Sequence, residues 1–215
     1  MNETALRDEI TRVGRSIFDR GLTFGSSGNI SVRLEDGGWL MTPTGSTLGT
    51  LDPARLSRLA PDGRLLDGDP PTKESFLHLA MYGSRPRAGA IVHLHSTHSV
   101  AVSCLAGVDP ASVLPPLTAY YVMRIGKLPL VPYFAPGDLD LAKAVREMAS
   151  DHHALLLANH GPVVAGKSLS DALNAAEELE ETAKLFIALR HLETRPLTGE
   201  QIADLEARFP DIKQR

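Results

Sequence analysis

At 215 residues, 43% hydrophobic and 22% charged, the chain has the makeup of one soluble globular domain with a full core, spanning 1–215. A net charge of -4 with no basic block argues against a nucleic-acid partner, and no apolar run nears the roughly 20 residues that span a bilayer. The start, Met1 to Ile10, is polar rather than signal-like. The single cysteine, Cys104, precludes an intrachain disulfide, fits a reducing cytoplasm, and reads as packing within the apolar stretch Val100 to Leu105.

In chain order, Leu6, Ile10, Val13, Ile17 and Phe18 recur at helical spacing and predict an amphipathic helix over 3–20, closed by Gly21. A glycine-rich loop, Thr23 to Asn29, enters a strand from Ile30 to Leu34. The turn Glu35-Asp-Gly-Gly38 lets Trp39 to Thr42 pair back as a hairpin. Pro53, Pro61, Gly63 and Gly68 cut the next stretch into short pieces. A helix is expected over 73–82, with Phe76, Leu77, Ala80 and Met81 inward. A strand follows from Ala90 to His95, then a helical turn from Ser99 to Ala106. The proline-rich segment from Pro115 to Pro136 reads as irregular. A helix over 138–150 has Asp138 as N-cap. Strands at Ala154 to Ala158 and Val163 to Ala165 flank Asn159-His-Gly-Pro162, Ser170 to Leu192 is the longest helix, and the tail from Leu197 carries a short helical pattern with a polar end. Early hairpins and later interleaved helices suggest a mixed or mainly antiparallel sheet covered on both faces.

Three histidines carry the chemistry. His93 and His95 sit two apart in an apolar, β-branched run, so a strand would point both the same way, and His160 closes a second apolar run. Three imidazoles from two strand ends, with a position left open, are the usual ligand set for catalytic zinc. The competing reading is a half-buried strand with hydrogen-bonded histidines. His78, His98, His152, His153 and His191 read as structural or surface residues, with His98 a candidate support behind the ligands.

Two loops, Ser26-Ser27-Gly28-Asn29 and Thr44-Gly45, offer hydroxyls, an amide and glycines of close approach, as anion-binding loops do; ordinary tight turns look the same. The order is loop into strand, so neither a Walker loop nor a dinucleotide fingerprint applies. Pro70-Pro-Thr72-Lys73-Glu74-Ser75 opens a helix, where Thr72 and Lys73 could contact a phosphate and Glu74 would sit in the first turn.

Taken together and in order, Ser27-Gly-Asn-Ile-Ser31, Thr42-Pro-Thr-Gly45, the Glu74 helix, His93-Leu-His95 and Asn159-His-Gly161 resemble the class II aldolase/adducin family over about residues 5 to 190. The resemblance implies a three-layer αβα sandwich with a mostly antiparallel sheet, one zinc-like divalent ion per subunit, and a homotetramer. It implies His93, His95 and His160 as ligands. It makes Glu74 a catalytic carboxylate that also touches the metal when substrate is absent, and places Gly28, Asn29, Thr44 and Gly45 at the phosphate. Thr72-Lys73 stands where the family's aldolases carry two serines, and their catalytic tyrosine aligns only with a gap, leaving Tyr120 and Tyr121 as candidates. The Pro70 to Glu74, Thr118 to Arg124 and Pro132 to Asp138 stretches are similar to a family subgroup that decarboxylates 3-oxo-tetronate 4-phosphates, phosphorylated four-carbon sugar acids. The rival readings are a fuculose-phosphate-type aldolase, a 4-epimerase of the same family, which would carry an aspartate in the place of Glu74, and a non-catalytic adducin-like interaction module.

Overall fold

A computed structural model describes residues 2–135 and 137–209; the polar end of the tail lies outside them. An eight-stranded sheet forms the middle layer: β1 (Asn29–Arg33), β2 (Trp39–Met41), β3 (Ser57–Leu59), β4 (Leu65–Asp67), β5 (Ala90–His93), β6 (Leu130–Val131), β7 (Ala154–Leu157) and β8 (Gly161–Gly166). Their spatial order is β4-β3-β2-β1-β5-β8-β7-β6, and every pairing is antiparallel except β6 with β7. The helices are α1 (Glu3–Asp19), α2 (Ser75–Ser84), α3 (Thr97–Ser103), α4 (Ala119–Arg124), α5 (Asp140–Ala149), α6 (Leu169–Leu189) and α7 (Gly199–Arg208).

The strand sequences dictate the layering. Apart from His93 at the end of β5, β5, β7 and β8 run apolar rather than alternating, and all their residues are buried, which requires cover on both faces. One face packs Val92, Leu156 and Val164 against Ile10, Ile17, Val102, Leu179 and Ala183 of α1, α3 and α6. The other packs Ile91, Leu155, Val163 and Ala165 against Leu77 and Met81 of α2 and Leu141 and Val145 of α5. The result is the expected three-layer αβα sandwich. Among the described residues no helix is long and apolar enough to cross a membrane.

The first helix starts and stops as its sequence dictates. Asn2 caps it by accepting the Ala5 amide at 2.8 Å, and Gly21, at φ 70°, ends it. Other elements differ from the expectation. The stretch of turns after Pro53 contains β3 and β4, three residues each, which widen the sheet at its edge. The segment expected to be irregular holds α4, capped by Thr118, and the two-residue strand β6. Both are too short to show a period. The helix expected from 138 begins at Asp140 with Leu139 at its N-cap, so Asp138 is not the cap; it accepts the Asp140 amide at 2.9 Å from the turn before the helix. Cys104 is not packed: it ends α3 and is exposed.

Candidate active site

The site lies in the middle of the sheet, where the start of β1, the end of β5 and the start of β8 come together. The β1–β5 register sets Asn29 opposite His93, and the β5–β8 register sets His93 opposite Val163, three residues past His160. His95 lies beyond the end of β5, contrary to the simple strand picture, yet its ring joins the others. A close backbone approach makes this happen. Leu94 donates its amide to the Pro162 carbonyl at 3.2 Å, and a Cβ on Gly161 would lie 2.4 Å from the Leu94 carbonyl oxygen. Gly161 has φ 149° and the neighbouring Asn159 takes the left-handed φ of 56°, so this turn depends on residues that tolerate such backbone.

The Nε2 atoms of His93 and His160 each lie 3.1 Å from His95 Nε2. Glu74 brings Oε1 to 3.1 Å from His160 Nε2 and Oε2 to 3.4 Å from His93 Nε2. One ligand atom from each of the four residues falls within 4.8 Å of all the others. The rings stand nearly edge to face, at 69° to 85° between planes. His93 is fully buried, and its Nδ1 donates to the Pro162 carbonyl at 2.8 Å, which leaves Nε2 a bare lone pair aimed at the cluster. Burial pushes His93 down to about 3, against the pull of Glu74, and lowers His95 too, so at neutral pH both rings are uncharged and each keeps one nitrogen lone pair. Burial opposes ionisation of Glu74, but the neighbouring histidines and the Asn29 amide outweigh it and hold the carboxyl well below the usual carboxylate range. Three converging imidazole nitrogens beside a carboxylate form a donor set that fits a divalent cation.

An open cleft runs from this cluster and is lined by Ser26, Ser27, Gly28, Asn29, Thr44, Gly45, Thr72, Lys73, Glu74, His95 and His160. Residues far apart in sequence meet here through backbone bonds. The Thr42 and Pro70 carbonyls accept the Thr72 and Thr44 amides, and Pro43 bridges Pro71. Gly28 and Gly45 have φ of 80° and 71°; a Cβ on Gly28 would meet the His93 carbonyl at 3.2 Å, so the loop must be bare there. Ser27 spends its hydroxyl on the Phe24 carbonyl at 2.6 Å, holding the loop's shape. Asn29 is buried and gives its amide to Glu74 Oε2 at 2.6 Å. Thr72 accepts the Glu74 amide, and Lys73 is exposed at the rim.

The sequence candidates therefore gather in one place, with the tyrosines apart. Tyr120 lies on α4 with 62% of its surface exposed, Tyr121 is buried in the core, and neither lines this cleft; Tyr133 and Phe134 do. His98 turns to Glu180, 2.9 Å from its Nδ1, and is not among the four converging residues. Sequence reasoning passed over His78, which stands directly behind Asn29.

Residues 8–187 match the family model described as class II aldolase and adducin N-terminal domain. The chain belongs to this family. It is 55% identical over 205 residues to a 3-oxo-tetronate 4-phosphate decarboxylase of Escherichia coli strain K12, covering 95% of this chain and 97% of that one. The crystal structure of YgbL, a putative aldolase/epimerase/decarboxylase from Escherichia coli, superimposes with a TM-score of 0.93 at 54% identity, over 94% of this chain and 98% of that one. An L-fuculose phosphate aldolase of Methanocaldococcus jannaschii is 36% identical over 84% of this chain and 95% of its own.

Proposed function

We propose that this family member catalyses the decarboxylation of a 3-oxo-tetronate 4-phosphate to dihydroxyacetone phosphate and CO2. The observation that carries the reading is the joint opening of the His93–His95–His160–Glu74 cluster and the two glycine loops onto one cleft. The decarboxylase relative at 55% identity favours this reaction over aldol cleavage.

The cleft has two ends. The loops of Ser27, Gly28, Asn29, Thr44 and Gly45, with Thr72 and Lys73, hold the phosphate, so that binding at the unreactive end orients the reacting carbons. His93, His95 and His160 would hold the cation, zinc by the match of its tetrahedral preference to three nitrogens, and Glu74 would complete the set when substrate is absent. When bound, such a cation supplies a Lewis acid for the oxygen on which negative charge develops. In the reaction the bond from C1 to C2 breaks, CO2 departs, and its bonding electrons stay on C2 as an enediolate. Glu74 moves the proton that C2 then takes, giving the ketone of the product. Lys73 adds positive charge at the rim for the phosphate or the departing carboxylate. Tyr120 remains a candidate proton carrier, and its exposed place on α4 requires a neighbouring subunit of a homotetramer to bring it to a cleft. A cytoplasmic location completes the proposal.

The test follows CO2 and aldehyde in parallel, with a 3-oxo-tetronate 4-phosphate and a ketose 1-phosphate as substrates and metal content measured. In deuterated water the product carries deuterium on the carbon that lost CO2. Aldehyde from the ketose phosphate without CO2 from the oxo acid overturns the decarboxylase in favour of the aldolase. A chain that holds no metal and turns over neither substrate overturns both.

A further inference from the structure

Behind Glu74 a file of polar side chains is buried between β1 and α2. Strand alternation puts Asn29 and Ser31 on one face of β1; helical spacing stacks Glu74, at the start of α2, over His78 and Tyr82 on one stripe. The two rows interleave. Asn29 Nδ2 donates to Glu74 Oε2 at 2.6 Å, and Asn29 Oδ1 lies 2.5 Å from His78 Nε2. His78 Nδ1 lies 2.7 Å from Ser31 Oγ, which in turn lies 3.0 Å from the Tyr82 hydroxyl. Asn29, Ser31, His78 and Tyr82 are all 5% exposed or less.

The proton positions follow from one end. A carboxylate only accepts, so Asn29 turns its NH2 to Glu74 and its carbonyl oxygen to His78. That oxygen also only accepts, so His78 carries its proton on Nε2. Burial pushes His78 down to about 4, which leaves the ring neutral at pH 7 and Nδ1 bare. Ser31 therefore donates to Nδ1 and accepts from Tyr82, whose hydroxyl burial keeps protonated. Every donor in the file points toward Glu74. Turning Asn29 over would set its oxygen against the carboxylate, and moving the His78 proton to Nδ1 would set two acceptors 2.5 Å apart. A fully satisfied buried network of this kind locks one geometry.

We infer that His78 is a positioning residue for Glu74, acting through Asn29 to fix where the carboxylate stands between the three histidines and the cleft. The inference rests on Glu74 as the proton-moving group proposed above.

Nitrogen-15 spectra of the metal-free protein read the His78 tautomer directly, and the expected result is a proton on Nε2. Two variants supply the rest. H78F keeps the ring's bulk and removes the donor; H78Q keeps a donor near Nε2. In H78F kcat falls by about tenfold to a hundredfold while KM for the phosphorylated substrate and the bound metal change little, because the carboxylate alone is misplaced. The Asn29 side-chain amide, slow to exchange with solvent in the unaltered protein and in H78Q, exchanges quickly in H78F. H78Q recovers most of kcat. A His78 proton on Nδ1, an unimpaired H78F, or an H78Q as slow as H78F overturns the inference. The tautomer is read on the unaltered protein and decides the matter even if H78F does not fold. It is also independent of the reaction: an unaltered protein that releases no CO2 removes the decarboxylase reading and leaves the tautomer result standing.

Discussion

Gly161 is the position at which one added methyl separates fold from metal site. Its Cα faces the Leu94 carbonyl so closely that a Cβ would lie 2.4 Å from that oxygen, whereas ordinary contact begins near 3.4 Å. In Gly161→Ala the start of β8 and the chain after β5 must part by roughly 1 Å, and φ of 149° adds strain on the order of 1–3 kcal/mol. Those two segments carry His160 and His95. Zinc–nitrogen bonds of about 2.0–2.1 Å tolerate errors of about 0.2 Å, so a shift of this size lengthens or loses one bond of three. Metal affinity should fall about 10–100-fold, as it does when the supports of metal ligands are disturbed. Competition with a zinc-binding dye measures this, with thermal unfolding of the metal-free protein alongside. Gly83→Ala is the control, since its Cβ would meet nothing within 4 Å. Wild-type affinity in Gly161→Ala would refute the claim that this contact sets the distance between the two imidazoles.

Glu74→Gln should keep the ion on three histidines yet lose a factor of about 10²–10⁴ in kcat, because an amide cannot move a proton; a variant with wild-type kcat removes Glu74 from the chemistry. Gly45→Ala, at φ 71°, distorts the loop and should raise KM for the phosphorylated substrate about tenfold while sparing a substrate without phosphate. An equal loss on both would point to general damage. Stability of the metal-free protein should fall as pH drops from 6.5 to about 4. His78 is held neutral in the fold down to about 4, so the unfolded chain binds the extra proton throughout that window, and stability rises with pH there. The full effect is on the order of 3 kcal/mol for so buried a ring. Denaturant titrations should give a shallower slope for H78Q, and an unchanged slope would assign the pH dependence to other groups.

The histidine cluster was legible in the sequence because His93, His95 and His160 stand directly beside apolar runs, at strand ends where imidazoles are rare. The long helices were legible because a half-buried face needs a period, and β5, β7 and β8 because burial on both faces needs an apolar run. β6 has two residues and α4 has six, so neither repeats enough to show one. β3 and β4 hide among prolines and glycines that are themselves turn signals. Cys104 looked packed because its neighbours in sequence are apolar, but it ends α3, where the chain turns outward. His78 was legible in principle. Polar residues recurring at 74, 78 and 82 on a helix stripe, facing polar residues at 29 and 31 on a strand, mark a polar seam inside a core. Which strand the helix would cover is information that no local pattern holds.

Asn29 shows how the two ends of the cleft are mechanically one. It follows Gly28 directly, whose bare, left-handed backbone lets the anion loop close against the His93 carbonyl. It pairs with His93 across β1 and β5, so the same residue fixes the loop's distance from the three histidines. Its side chain holds Glu74 from one side while the His93 ring, anchored on Pro162, faces it from another. If the proposed phosphate binds there, closure of the loop pulls on the strand position that orients the carboxylate. In the proposed reaction, binding energy from the unreactive end would have a direct covalent path to the reacting one, through a single peptide unit between Gly28 and Asn29.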